Sequence, residues 1–138
     1  MNHDFLPMFI IMFVSGLLAT MNLYVDKFSD IRTSINDVYM ALMMCAWTFL
    51  IQGVFYNMVN YTIFGLILLG IVFYCLRTQF LVSPNEYLKG MIPHHSMAVK
   101  MSKELLKNKE PDDELSELAK NIIKSQRKEI KQMKNMEK

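Results

Sequence analysis

Three stretches of this chain carry no charged side chain: residues 5–25 (21 residues), 38–57 (20 residues) and 61–76 (16 residues, or 19 counted from Met58). An α-helix rises about 1.5 Å per residue, so roughly 20 apolar residues cross a hydrocarbon core of about 30 Å. A helix on the surface of a water-soluble domain keeps a polar face, and these runs show none. Tyr24, Tyr39, Tyr56, Tyr61 and Tyr74 fall near the run ends, where amphipathic rings favour the membrane interface. Residues 1–4 hold no Lys or Arg, and the first run is long for a secretory signal, so it reads as a retained helix. Transmembrane helices are expected at about 5–25, 38–57 and 58–76, within a membrane domain of residues 1–77.

The net charge of +2 conceals a division. Residues 1–76 carry Asp4, Asp26, Asp30 and Asp37 against Lys27 and Arg32 only, whereas residues beyond 76 are lysine-rich. The lysines there alternate with acids, which describes a solvated face rather than a phosphate-binding stripe, and no nucleic-acid motif appears. No charge lies mid-run, so a proton relay or charged ion path is not expected. Cys45 and Cys75 lie inside apolar runs and read as small packing residues. The thioethers of Met8, Met12, Met21, Met40, Met43, Met44 and Met58 read first as gap fillers. Ser15/Ala19, Gly16/Thr20 and Ala41/Cys45 repeat at one-turn spacing, as helix packing in lipid requires, and Asn22, Thr48 and Gln52 are candidate cross-helix hydrogen-bonding groups. Three spans put the 26–37 loop and the tail on one side. Lys27, Arg32 and Arg77 point weakly to the cytoplasm for that side.

Residues 78–138 read as a helical hairpin domain. Ser83-Pro84-Asn85-Glu86 has a capping serine, a proline suited to the first turn and a glutamate three residues after the cap. Apolar positions follow at Leu88, Met91, Ile92, Ala98, Met101, Leu105 and Leu106, so a helix is expected over 84–107, kinked at Pro93. A second is expected over 111–136, opening on Pro111 and Asp112-Asp113-Glu114, with Leu115, Leu118, Ala119, Ile122, Ile123, Ile130 and Met133 on its apolar face. The short connection makes the two antiparallel. So small a domain buries little core. It is therefore expected to pair with another copy as a four-helix bundle, or to pack on its own membrane helices.

The chemistry concentrates at Met91-Ile92-Pro93-His94-His95-Ser96-Met97-Ala98-Val99-Lys100-Met101. At about 100° per residue, Met91, His94, His95, Ala98, Met101 and Leu105 share one broad face. Ser96 points elsewhere, which argues against a Ser–His pair. On the second helix Gln126 and Glu129 interrupt the stripe that Leu115, Met133 and Met136 define. Folding at about residue 109 brings His94 and His95 level with residues 123–126, and Gln126 and Glu129 within a turn of that level. Buried polar groups need partners. Imidazole with thioether suits Cu(I) or Cu(II), and a carboxylate can ligate or orient a histidine. The candidate ligands are His94, His95, Met91, Met101, Met97, Glu129, Gln126 and Met133. An ordinary hydrogen-bonded histidine pair remains the alternative.

At these residues the chain resembles the domain-of-unknown-function family 305. The matching residues are Met91-Ile92-Pro93-His94-His95, then Ala98 and Met101, then Gln126, Glu129, Ile130 and Met133, over about residues 84–136. The three preceding apolar runs resemble a membrane-anchored bacterial subgroup often encoded beside metal-resistance genes. The resemblance implies a ferritin-like helical bundle that binds copper. It puts His94 and His95 first as ligands and Met91 and Met101 next; Met97 has no counterpart. Soluble members often carry the motif twice. This chain carries it once, which implies a dimer. Studied copper binders of the family act outside the cytoplasm, opposite to the charge argument above.

The expected fold is therefore all-α: three transmembrane helices, then a hairpin forming half of a ferritin-like four-helix bundle. The expected function is membrane-anchored binding of copper for sequestration, transfer or tolerance, in a bacterial-type inner or plasma membrane, with a homodimer or a metal transporter as partner. A rival is non-catalytic assembly or transporter docking with structural histidines. Enzymatic use of His95 and Glu129 as an acid–base pair is the weakest reading, since no nucleophile elbow, phosphate loop or zinc-protease helix motif appears.

Overall fold

All regular structure in the computed structural model, which describes residues 5–137, is helical: α1 (Phe5–Leu18), α2 (Ile35–Phe55), α3 (Val59–Thr78), α4 (Pro84–Asn108) and α5 (Asp113–Met136). Residues 1–4, read above as the flank of a retained helix, lie outside the described residues. The chain forms two compact units: Met1–Thr20 with Ile35–Val82, and Met21–Ser34 with Ser83–Lys138.

The first unit holds α1, α2 and α3. Its apolar segments Phe5–Tyr24, Ile35–Phe55 and Val59–Thr78 have 20, 21 and 20 residues, long and apolar enough to cross a membrane. The α-helical part of the first segment stops at Leu18, short of the expected residue 25, and short 3-10 turns follow at Met21–Tyr24 and Phe28–Asp30. The departure has a polar cause at Asn22. Its amide donates to the Arg32 carbonyl at 2.7 Å and accepts from the Arg32 N–H at 3.1 Å, so it serves the loop. Thr48 also makes no cross-helix bond there; its hydroxyl donates to the Met44 carbonyl one turn back. Asn57, in left-handed conformation at φ 55°, turns the chain between α2 and α3.

Close packing in this unit depends on small residues, as van der Waals-driven association in lipid demands. A Cβ on Gly65 would come within 2.5 Å of the Leu50 nitrogen, and one on Gly16 within 2.9 Å of the Ala41 Cα. Phe5, Phe49, Tyr61 and Phe64 pack edge-to-face or stacked at one end, with ring centroids 4.6–5.4 Å apart. The Tyr39 hydroxyl donates to the Phe80 carbonyl at 2.6 Å, fastening the end of α3 to α2.

In the second unit α4 and α5 form the expected antiparallel hairpin. The Ser83 hydroxyl accepts from the Glu86 N–H at 3.2 Å, and α4 runs unbroken through Pro93. The Asp112 carboxylate accepts from the Leu115 N–H at 2.8 Å, so α5 begins at Asp113, two residues after the expected start. Ile92, Val99, Ile130 and Met133 form the core, with Leu88, Met91 and Ile123 against it. Val99, Ser96 and Ser102 are buried on α4, while Met101, expected on the apolar face, is 60% exposed.

The reason lies in residues 21–34, which cover one side of α4; neither cover expected above anticipates this one. Asp30, 3% exposed, accepts from the Ser96 hydroxyl at 2.6 Å and from Lys134 at 2.5 Å. Ser96 in turn accepts from the Asp26 N–H at 2.9 Å. The Asp26 carboxylate takes both bonds from Lys103 at 2.5 and 2.6 Å, and Arg32 meets Glu137 through two bonds at 2.7 and 2.8 Å. Within one chain the hairpin is thus walled by a loop rather than by a second helix pair.

Burial pushes the Asp30 carboxyl up, but hydrogen bonds from Lys134 and Ser96 and the charges of Lys134 and Lys27 leave it below the usual range. The Arg32 hydrogen bond lowers Glu137 likewise. A depressed carboxylate stabilises the fold above its unfolded value, roughly pH 4, and loses that contribution as pH falls through the folded value. Acid should therefore release residues 21–34, seen as loss of their amide dispersion in NMR spectra below about pH 4. Asp30→Ala should destabilise the second unit by about 2–3 kcal/mol, because it strands Lys134 and Ser96; unchanged hydrogen exchange at residues 21–34 would contradict this. In the first unit, Gly65→Leu should destabilise by about 1–3 kcal/mol in thermal unfolding of the detergent-solubilised protein. Gly70→Leu should be tolerated, because nothing lies within 4 Å of that position.

Candidate metal-binding site

His95 sits on the face of α4 turned toward α5. Its Nε2 lies 3.3 Å from Oε2 of Glu129, with side chains 13% and 45% exposed. This contact sets the register about one turn beyond the level expected from a fold at residue 109, since the connection centres nearer residue 111. Among the described residues the buried Nδ1 of His95 makes no hydrogen bond of good geometry, although the Met91 backbone one turn back is close enough to act on the ring, and the buried Oε1 of Gln126 has no partner. With 95 opposite 129, an antiparallel pairing sets Gln126 level with Ala98, one turn along. These are two of three such atoms on the hairpin among the described residues, the third being Oδ1 of Asn85 at the start of α4. Each costs desolvation free energy of about 1–3 kcal/mol.

His94 is exposed, and its ring stands 5.9 Å from that of His95 at 76°. Met133 is buried in the core and Met91 is packed against it, one helical turn before His95. These residues, with Glu129 and Gln126, are the ones the fold brings to the hairpin. Met101 stands out in solvent, six residues along α4. Met97 is rotated about 200° from His95 on the helix and faces away from it. Among the described residues no group of three or more His, Cys, Asp or Glu side chains converges on one point. Any ion held here would need thioether or amide donors, or donors from another molecule.

Burial is the main influence on His95 and pushes its imidazole below the ordinary value. The nearby Glu129 carboxylate opposes this, His94 adds to it, and the hydrogen-bonding pull of the Met91 backbone opposes it again. The neutral ring, with a lone pair free to coordinate, is therefore favoured. Ser96, next in sequence, is completely buried on another face and occupied by Asp26 and Asp30, which removes it from any partnership with His95. The loop acids were the part of this region that motif reading missed. Their one signal was the placement of Asp26 and Asp30 four residues apart in an otherwise charge-poor half of the chain.

The description "Domain of unknown function (DUF305)" matches residues 82–137, the hairpin with its capping residues. An uncharacterized protein of Acanthamoeba polyphaga mimivirus is 40% identical over 140 residues, covering 96% of this chain and 90% of that one. The similarity therefore extends through the apolar helices as well as the hairpin. No solved structure matches the chain. With both units spanned by a relative of this identity and the hairpin matched by the family description, the chain belongs to the DUF305 family.

Proposed function

We propose that this is an integral membrane protein whose hairpin binds copper, as Cu(I), for sequestration or transfer. The observation that carries the reading is the buried Nδ1 of His95 without a good hydrogen bond, with an unsatisfied Gln126 amide oxygen one turn along on the facing helix. A neutral imidazole nitrogen and an amide oxygen left without partners between two helices are costly unless something else occupies them. The soft thioethers of Met91 and Met133 pack in the adjoining core. With fewer than three His, Cys or carboxylate donors converging among the described residues, tetrahedral zinc is poorly served. Cu(I) accepts imidazole and thioether. His95 would bind the ion, His94 and Met91 would follow, and Glu129 would hold the ring of His95 in place. Met101 and Met97 take lower rank because of where they point.

The three apolar helices would anchor the hairpin. A three-span path puts residues 21–34 and the tail on the same side of a bilayer, and their packing into one unit supports that path. A second reading, pairing of hairpins as an assembly device, draws on Leu115 and Leu118, which are 41% and 54% exposed on α5. A paired copy would cover these side chains and could add donors to the copper site. A specific oligomer that carries no copper would favour assembly alone.

The test is competition for Cu(I) between a chromophoric chelator and the full-length protein in detergent. His94→Asn/His95→Asn should lower affinity by about a hundredfold, near 2.7 kcal/mol, and Met91→Leu by about tenfold. Unchanged affinity in the histidine double variant would reject the proposal. Without metal, the His95 ring should titrate below about pH 6.5 in NMR spectra. Glu129→Gln should lower it further, because it removes the charge that opposes burial; an unshifted or raised value would contradict the contact at 3.3 Å.

A further inference from the structure

The opposite face of α5 carries a separate feature. Residues 27–30 and the C-terminal half of α5 enclose a half-open cleft of about 390 Å³, floored by the buried side chains of Val99 and Ile130. Four cations line it, Lys27, Arg127, Lys131 and Lys134, against two carboxylates, Asp26 and Asp30. Both carboxylates are already engaged, Asp26 by Lys103 and Asp30 by Lys134. Among the described residues Lys27, Arg127 and Lys131 have no ion-pair partner. Arg127 and Lys131 thus line the cleft without a counter-charge in ion-pair contact, and Lys27, whose charge also acts on Asp30 at longer range, lines it from the loop. Arg127 and Lys131 are one helical turn apart on α5, and Lys27 faces them from the loop. Repulsion among them is a standing cost that a bound anion would relieve.

We propose that this cleft binds a phosphate group. Three cations set around a cavity match an anion with several oxygens and a charge of about −1.5 to −2 better than they match a carboxylate with two oxygens and one charge. Arg127 supplies the planar fork that pairs with two phosphate oxygens, and the two lysines act as point charges. The apolar floor leaves room for the group that carries the phosphate. That group is either a free phosphorylated molecule or a lipid whose headgroup is a phosphomonoester, as in phosphatidic acid, and the chemistry of recognition is the same. The cleft is distinct from the histidine site: on α5, Arg127 and Lys131 are turned about 160–200° from Glu129.

Two arms distinguish the sources, both with full-length protein. In the first, protein in neutral phosphatidylcholine nanodiscs is titrated with inorganic phosphate and followed by phosphorus NMR. In the second, detergent-solubilised protein is titrated with phosphatidic acid or phosphatidylcholine and followed by native mass spectrometry. Saturable binding in the first arm, weakened about tenfold or more by Arg127→Gln/Lys131→Gln, supports a free phosphate ligand. Saturable binding of phosphatidic acid over phosphatidylcholine, lost in the same variant, supports a headgroup. Arg127→Lys/Lys131→Arg should retain binding in whichever arm is positive, and His94→Asn/His95→Asn should bind as the parent does. The proposal is overturned if neither probe saturates, if the glutamine variant binds equally well, or if the histidine variant loses binding to the same extent.

Discussion

Asp30 is 3% exposed and ionised, and the second unit depends on how that charge is met. A buried carboxylate alone is expensive enough to expel itself from a fold or to take up a proton. Here Lys134 reaches it from α5 and Ser96 from α4, so one carboxylate holds both helices of the hairpin to the loop. Two helices alone bury too few apolar side chains to hold a fixed arrangement. Residues 21–34 provide the missing wall, and they do so with hydrogen bonds and ion pairs more than with apolar area. Breaking one such contact leaves a partner stranded, so the junction is far more sensitive to truncation than its modest net contribution suggests.

The same junction divides α4 into two working faces. Ser96, held by Asp30 and Asp26, fixes the rotation of the helix, and the neighbouring His95 is thereby turned toward α5. Arg32 with Glu137 and Lys103 with Asp26 secure the two ends of the loop against α5 and α4. On the face that meets the loop Ser96 is occupied by Asp30 and Asp26, whereas toward α5 His95 and Gln126 each keep an unsatisfied atom; a third, Oδ1 of Asn85, lies at the start of α4. Part of the residual polar capacity thus lies at the motif, where the proposed ion would draw on it.

Much of this was legible in the sequence, and the failures have particular causes. The three apolar helices follow from charge-free runs of membrane-crossing length. The hairpin follows from capping residues and apolar periodicity; Ser83 caps as expected, whereas Asp112 displaced Pro111 as the start of α5 because its carboxylate reaches the Leu115 N–H. The proximity of His95 to Glu129 was readable from helical angles and the short connection. The early end of α1 was not, because Asn22 leaves the apolar run for a partner ten residues on, and hydropathy carries no information about such a bond. Nor was the loop–hairpin junction, whose contacts link residues 66 to 105 apart and leave no local period. Reading Asp26 and Asp30 only as topology signals hid their role. The buried positions of α4 shifted from Met101 toward Ser96 and Val99 for the same reason.

The donor inventory then bears on which ions this hairpin can discriminate. A site for a hard divalent ion needs several carboxylate or carbonyl oxygens, and the only carboxylate at the motif, Glu129, is 45% exposed and engaged by His95. A structural zinc site needs four closed N, S⁻ or O⁻ ligands, and neither Cys45 nor Cys75 lies in this unit. What the motif does offer is an imidazole whose neutral form burial favours, thioether sulfur and an amide oxygen. Neutral donors compensate little charge, so they favour the ion with the least charge to desolvate and the greatest affinity for sulfur. Among the biological transition metals the proposed Cu(I) is the one whose ligand preferences fit that description best.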